Sequence, residues 1–192
     1  INGDVLKVDI AKLAEEENGG RPIKVVANLP YYITSPVIMK VLEEKLPVES
    51  LTVMVQKEAA VRICAAPGTR ACGAVSVAVQ YYSQPQILFD VPRDCFFPAP
   101  NVDSAVIRLN IRKEPPVKLE TEEKQFFKLV RAAFGQRRKT VLNSLNTGLG
   151  KSKEELSAAL QQAGIAPTAR AEQLTMEQFG TLCNLLFPNR VQ

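Results

Sequence analysis

Residues 28–32 read Asn-Leu-Pro-Tyr-Tyr and follow directly on the apolar run Ile23-Lys24-Val25-Val26-Ala27. A short β-branched run meeting a proline turn predicts a buried strand that ends at a loop. In an open α/β sheet, ligands bind outside the carboxyl ends of the strands. The pattern therefore delivers an amide, two backbone carbonyls flanking Pro30 and an aromatic ring to that edge. The exocyclic amine of a base such as adenine is a poor nucleophile, because its lone pair is delocalised into the ring. Accepting both amine hydrogens, through Asn28 Oδ1 and the Leu29 carbonyl, favours a pyramidal nitrogen with an available lone pair. Such contacts stabilise the transition state rather than the ground state. Tyr31 adds a stacking surface worth about 1–3 kcal/mol per base. In isolation, the same tetrapeptide is also an ordinary turn after a strand.

Three further groups invite chemistry. Phe96-Phe97-Pro98-Ala99-Pro100-Asn101-Val102-Asp103-Ser104 is a loop stiffened by two prolines, and a rigid loop holds an aromatic ring at low entropic cost. Phe96 could then cover the face of a base opposite Tyr31, or Phe96 and Phe97 could plug the loop into the core. In Gly3-Asp4-Val5-Leu6, an acid at the end of a neighbouring strand can accept from the adenine amine of a cofactor, with Val5 or Leu6 packed on its ring. Gly-Asp turns are also common without such a role. Arg137-Arg138-Lys139, with Lys128 and Arg131 upstream and Lys151 and Lys153 beyond, reads either as a phosphate-contacting cluster on a helix or as a solvated helix face.

The elements that position these residues alternate. Ile1–Asp9 reads as a strand end with an acidic turn, and Ile10–Glu17 as a helix stopped by Asn18-Gly19-Gly20. Ile23–Ala27 is the second strand. A helix capped by Ser35 follows, with Pro36 at its first position and Val37, Ile38, Val41 and Leu42 as its apolar face. Leu51–Val55 is a strand, and helices follow over Lys57–Cys64 and Val75–Tyr82, separated by a Pro67-Gly68 loop. Gln86–Val91 and Ser104–Ile111 read as strands joined by a proline-rich loop. This is an α/β sheet with an antiparallel last pair. Glu114-Pro115-Pro116 marks a boundary, giving domains 1–113 and 117–192. Beyond it Phe126, Phe127, Val130, Phe134, Val141 and Leu145 form one apolar stripe. Ser152 with Glu155, and Thr175 with Gln178, are capping boxes, so the second part reads as a small all-α domain of three or four helices.

A doubly wound sheet normally opens with a glycine-rich nucleotide loop, and none stands here; Gly148-Leu149-Gly150 lies in the helical region. At about 30 residues per βα unit, roughly 90 residues are expected ahead of Ile1. The chain thus reads as a fragment whose sheet is incomplete at its N-terminus.

Composition narrows the chemistry. The 192 residues are 46% hydrophobic and 23% charged, values of an ordinary globular protein. No apolar run approaches the ~18 residues of a membrane span, and the chain opens at Ile1 in what reads as a strand, without the basic n-region of a signal peptide. The absence of histidine excludes Ser-His and Cys-His nucleophilic catalysis. An alkylated amine becomes acidic and loses its proton to water, so the chemistry above needs no such base. Cys64, Cys72, Cys95 and Cys183 form no C-x-x-C pair, which speaks against a metal site and for reduced thiols in a cytoplasmic protein. A net charge of +4 permits a nucleic-acid partner.

Taken together, Gly3–Leu6, Asn28–Ser35, Gln56-Lys57-Glu58, Gly73–Ser76, Phe96–Val106, Phe134–Val141 and Arg170–Leu174 resemble one family, in its order and over nearly the whole chain. It is the ribosomal RNA adenine dimethyltransferases of the KsgA/RsmA type. The resemblance implies a Rossmann-like class I methyltransferase domain with a helical C-terminal domain, using S-adenosyl-L-methionine. It implies dimethylation of N6 on two adjacent adenosines in the 3′-terminal hairpin of small-subunit (16S) ribosomal RNA, with a role in small-subunit maturation. Asn28, Leu29, Pro30 and Tyr31 match the target-amine motif and Phe96 the second stacking aromatic. Asp4, Val5 and Asn28 fall on the cofactor side. Arg137, Arg138 and Lys139 would help a monomer dock small-subunit RNA and the immature 30S particle, the target base swinging out of its stack. The missing cofactor loop implies a chain inactive alone. Cys72, where relatives often carry an aromatic, implies nothing further.

Two alternatives stand beside this. A sister class methylates a large-subunit adenosine and confers macrolide resistance; it shares Asn-x-Pro-Tyr and Phe-x-Pro, but Phe96–Val106 and Arg170–Leu174 favour the small-subunit class. A non-catalytic ribosome-assembly factor of the same fold has no need of the amine clamp. DNA and protein-glutamine methyltransferases commonly carry a second proline where Leu29 stands.

Overall fold

The alternating burial of two central strands organises the sheet. In a computed structural model describing residues 2–188, β1 (Ile23–Asn28), β2 (Val48–Gln56), β3 (Ser83–Val91) and β4 (Ser104–Ile111) form one sheet in the order β1-β2-β4-β3. Strand side chains alternate between faces, so Leu51, Val53 and Val55 share a face of β2, and Ala105, Ile107 and Leu109 share one of β4. The antiparallel register pairs them directly, Leu51 with Leu109, Val53 with Ile107 and Val55 with Ala105. All six are buried. This ladder of apolar cross-strand pairs fixes the register, because a one-residue slip would turn every one of them outward.

β1 runs parallel to β2, with Asn28 opposite Met54. A parallel pair needs a crossover, supplied by a 3-10 turn at Tyr31–Ile33 and helix α2 (Thr34–Glu43). The helix buries the expected Val37, Ile38, Val41 and Leu42. Ser35 is not its cap, however. The 3-10 turn runs straight into the helix, which has no side-chain cap and starts at Thr34, so Pro36 is its third residue.

Helix α1 (Ile10–Asn18) is capped by Asp9, whose carboxylate accepts from the Lys12 amide at 2.9 Å. It ends at Gly19, whose φ of 59° is one that glycine adopts without strain. Ahead of it the expected strand is absent. Residues 2–9 form turns, the Asp4 carbonyl accepting from the Lys7 and Val8 amides; Ile1 lies outside the described residues. β3 and β4 are the antiparallel pair, with a bulge between Ile87 and Phe89. β3 begins at Ser83, earlier than Gln86.

The chain divides into two compact units. One takes in the chain to Cys64 together with Tyr82–Lys113, and the other takes in Ala65–Tyr81 together with the chain from Glu114 on. The step at Glu114 coincides with the two prolines. The grouping of 65–81 with the later chain departs from a simple split at that point. Its reason is aromatic: Tyr81, near the end of α4 (Ala74–Tyr82), stacks on Phe126 at 5.0 Å and meets Phe127 edge-on at 5.2 Å.

In that second unit, α5 (Glu123–Phe134), α6 (Val141–Leu149), α7 (Lys153–Gln162) and α8 (Met176–Leu186) accompany α4. The apolar stripe from Phe126 to Leu145 is shared between α5 and α6 rather than lying on one helix. The capping box of Thr175 and Gln178 forms in both directions. Ser152 accepts from the Glu155 amide, but the Glu155 carboxylate pairs with Lys151 instead, so that motif is a single cap. No helix among the described residues is long and apolar enough to cross a membrane.

Ile107 sits fully buried at the centre of the ladder. Ile107→Ala is expected to lower stability by about 2–5 kcal/mol, read as a lower urea midpoint with an unchanged slope.

Candidate active site

The carboxyl end of β1 carries Asn28 into Leu29 and Pro30. An asparagine side chain at such a position ordinarily accepts from the backbone N–H two residues on, closing an Asx turn. At Asn28 that residue is Pro30, which has no N–H. Asn28 Oδ1 consequently has no hydrogen-bond partner among the described residues, and the Leu29 carbonyl has none there either. The Pro30 carbonyl is occupied, accepting from the Ile33 amide at 3.1 Å and Thr34 Oγ1 at 3.3 Å. Asp4 shows the contrast. Its second residue on is Leu6, and the Leu6 amide donates to Asp4 Oδ1 at 3.0 Å.

Tyr31 is held at its far end. Its hydroxyl and Ser104 Oγ lie 2.7 Å apart. Ser104 is the buried first residue of β4, opposite Gln56 of β2 and Val91 of β3. The ring is fixed although the residue is 38% exposed, leaving aromatic surface for a ligand.

Phe96 lies in the loop between β3 and β4, whose ends the Val91–Ser104 pairing joins. Asp103 closes the loop, its carboxylate accepting from the Arg93 amide at 3.0 Å and its carbonyl from the Lys57 amide at 3.0 Å. Within it the Phe96 amide donates to the Arg93 carbonyl at 3.1 Å. Phe96 is half-buried, whereas Phe97 is 103% exposed, so Phe97 does not plug the core. Asn28, Tyr31 and the Phe96 loop thus belong to one edge of the sheet.

Helix α3 (Lys57–Ile63) starts there too. Lys57 Nζ lies 2.6 Å from Asp90 Oδ2. The hydrogen bond to Asp90, and then its charge, push the lysine above its ordinary value. On the alkaline side the pair is therefore kept through neutral pH and is lost as pH rises through that raised value. Next to it Gln56, Lys57, Arg93, Asn101 and Asp103 help line a hollow of about 650 Å³.

Asp4 and Val5 lie in a turn, not at a strand end; Asp4 is exposed and Val5 half-buried. Among the described residues Asp4 Oδ2 meets only Lys7 Nζ, at 3.8 Å, which leaves an exposed acceptor. Arg137, Arg138 and Lys139 are exposed in the turn between α5 and α6, not on a helix, and belong to the helical unit. Residue types alone do not mark Ser104, Asp103 or the Lys57–Asp90 pair as functional. The signal for the first two was the Asp-Ser dipeptide opening β4. Burial pushes the thiols of Cys64 and Cys72 up to about 11 and that of Cys183 to about 12, which disqualifies all three as nucleophiles.

Comparison with solved structures gives the class first. A dimethyladenosine transferase from Plasmodium falciparum superposes with a TM-score of 0.69 at 23% identity, covering 95% of this chain and 70% of that one. The 23S rRNA methyltransferase ErmE gives 0.65 at 26% identity, covering 97% and 70%. The sheet is of the Rossmann-like methyltransferase kind. The sequence model of ribosomal RNA adenine dimethylase matches residues 1–187, and the chain belongs to that family. It is similar to proteins named ribosomal RNA small subunit methyltransferase A. The one from Lachnoclostridium phytofermentans is 52% identical over 97% of this chain, and the one from Alkaliphilus oremlandii 55% identical over 97%. The chain spans 64% and 65% of the length of those two relatives.

Tyr31→Phe removes the hydroxyl and leaves the buried Ser104 Oγ without its partner. A loss of about 1–3 kcal/mol is expected, measured by chemical denaturation. Tyr31→Phe in a Ser104→Ala background should then cost little.

Proposed function

We propose that this chain carries the target-base side of an S-adenosyl-L-methionine-dependent enzyme. It would place two methyl groups on N6 of each of two adjacent adenosines in the 3′-terminal hairpin of small-subunit ribosomal RNA, during small-subunit maturation. The observation that supports it best is the pair of unengaged acceptors, Asn28 Oδ1 and the Leu29 carbonyl, beside the anchored ring of Tyr31. The names and 52–55% identity of the bacterial relatives point the same way.

The flipped adenine stacks on Tyr31, and Phe96 covers its other face. The two acceptors take the two N6 hydrogens, which draws the amine out of conjugation and leaves its lone pair directed at the methyl donor. When bound, the cofactor would supply an electrophilic methyl group from its sulfonium, the S–C bond breaking and the uncharged thioether leaving. Asp4, through its exposed Oδ2, with Val5 and Asn28, are the residues here that would hold the cofactor. After transfer the nitrogen is cationic and acidic and passes its proton to water, while the acceptors hold the remaining hydrogen. The monomethylated amine keeps one hydrogen and can re-enter for the second transfer. Arg137, Arg138 and Lys139 would contact RNA of the immature particle from the helical unit.

In protein of the relatives' full length, Asn28→Ala is expected to lower methyl transfer at least a hundredfold, the scale for losing one preorganised transition-state contact, while immature small subunits still bind. Near-normal transfer would sink the clamp. Labelled methyl groups appearing on naked large-subunit RNA rather than on immature small subunits would favour the macrolide-resistance type. Pro30→Ala restores an N–H two residues beyond Asn28. It should lower kcat with little change in RNA affinity, and the new amide should show a hydrogen bond to Asn28 by NMR.

A further inference from the structure

From Lys124 to Leu149 the chain carries six cations, Lys124, Lys128, Arg131, Arg137, Arg138 and Lys139, and no Asp or Glu. Helix α5 buries Phe126, Phe127, Leu129, Val130 and Ala133. Lys124, Lys128 and Arg131 are therefore left together on its exposed side, at the i, i+4 and i+7 spacing of one helix face. Seven residues of helix place them along about 10 Å. Like charges at these spacings oppose helix formation. Nothing relieves them, since neither Lys128 nor Arg131 has an ion-pair partner among the described residues and α6 has no charged residue at all. A solvated face would ordinarily intersperse acids.

The same face borders a hollow. Lys128, Arg131, Gln136, Ser144, Thr147 and Gly148 help line a depression of about 370 Å³ between α5 and α6. At its floor the two helices touch with no side chain between them, since a Cβ at Gly148 would come within 2.7 Å of Ala132 Cβ and 3.0 Å of its Cα. The Ser144 hydroxyl donates to the Gln136 carbonyl at 3.4 Å and that of Thr147 to the Asn143 carbonyl at 3.1 Å. The Gln136 amide has no partner among the described residues. The hollow thus offers two cations and a free amide donor and no competing acid. A water molecule's share of liquid is about 30 Å³, so there is room for a phosphate group and its ribose.

We propose that the α5–α6 hollow seats one backbone phosphate of RNA. Lys128 and Arg131 neutralise it and Gln136 donates to it, and the strand continues along the Arg137–Lys139 turn. This rests on RNA being the partner, and it deepens that reading by giving the helical unit a defined seat, separate from the sheet edge where the base reacts. The contact is with phosphate, so it positions RNA and carries no base preference.

The test is binding of the chain to protein-free small-subunit ribosomal RNA across a potassium chloride series. Removing one phosphate contact with Lys128→Ala/Arg131→Ala should make the slope of log K against log salt shallower by about 0.7–0.9. Affinity should fall alike for unrelated RNA sequences. Thr147→Glu, which puts a carboxylate at the exposed rim, should weaken binding in the same way, with unchanged circular dichroism in both variants. An unchanged slope and affinity in the double variant would overturn the seat. So would lost affinity for an acidic protein with RNA binding intact. Methyl transfer by wild-type protein of the relatives' full length is measured separately, and its absence counts against the proposed activity alone.

Discussion

The hydrogen bond between the Tyr31 hydroxyl and Ser104 Oγ joins the segment leaving β1 to the first residue of β4. Much of the candidate site depends on it. Ser104 is itself fixed by the register that pairs Leu51, Val53 and Val55 with Leu109, Ile107 and Ala105. Tyr31 is thus anchored to the most strongly specified part of the sheet while its ring remains accessible. A stacking platform must be both, because an aromatic ring ordered only on binding would spend part of its stacking energy on that ordering.

The same buried serine links the second half of the site. Ser104 follows Asp103, whose carboxylate and carbonyl close the β3–β4 loop at Arg93 and Lys57. One dipeptide therefore sets both the ring after β1 and the loop that carries Phe96. Lys57 opens α3 and pairs with Asp90 near the end of β3, so three elements converge on this edge. Tyr31 with Ser104, Lys57 with Asp90, and Asp103 with Arg93 and Lys57 are engaged there, whereas Asn28 Oδ1 and the Leu29 carbonyl are open among the described residues.

The legible parts of the chain were those written in local pattern. Leu51–Val55 and Ser104–Ile111 read as strands and are the core of β2 and the whole of β4, and the Val37–Leu42 spacing identified α2. The Thr175–Gln178 box showed as a reciprocal cap. What escaped depended on distant partners. A turn of six residues between α5 and α6 interrupts the Phe126–Leu145 stripe, and spacing close to seven bridges such a turn as readily as it describes one helix. The grouping of 65–81 with the helical unit arises from Tyr81 meeting Phe126 and Phe127, more than forty residues on, a contact no window shows. Residues 1–9 read as a strand end with an acidic turn, and residues 2–9 are turn alone, because Asp4 organises them through its own side chain and carbonyl. For the site, residue types named the candidates, but Ser104 looked like the start of a strand and nothing more.

Asn28 and Asp4 together show how one proline decides what a side chain is for. Asp4 opens a turn and Asn28 ends β1, but for each the usual local donor to such a side chain is the amide two residues ahead. At Asp4 that amide belongs to Leu6 and is captured. At Asn28 it would belong to Pro30 and does not exist. Proline is usually read at such a place for its fixed φ, and Pro30 does show φ −54°. Its missing N–H matters as much, since it prevents the protein from satisfying its own acceptor. Open acceptors in an exposed turn cost little, because water engages them in the free protein. Under the proposed function a stacked base would desolvate them and leave only the incoming amine to accept from, with their pull on its hydrogens greatest where the nitrogen must give up its conjugation.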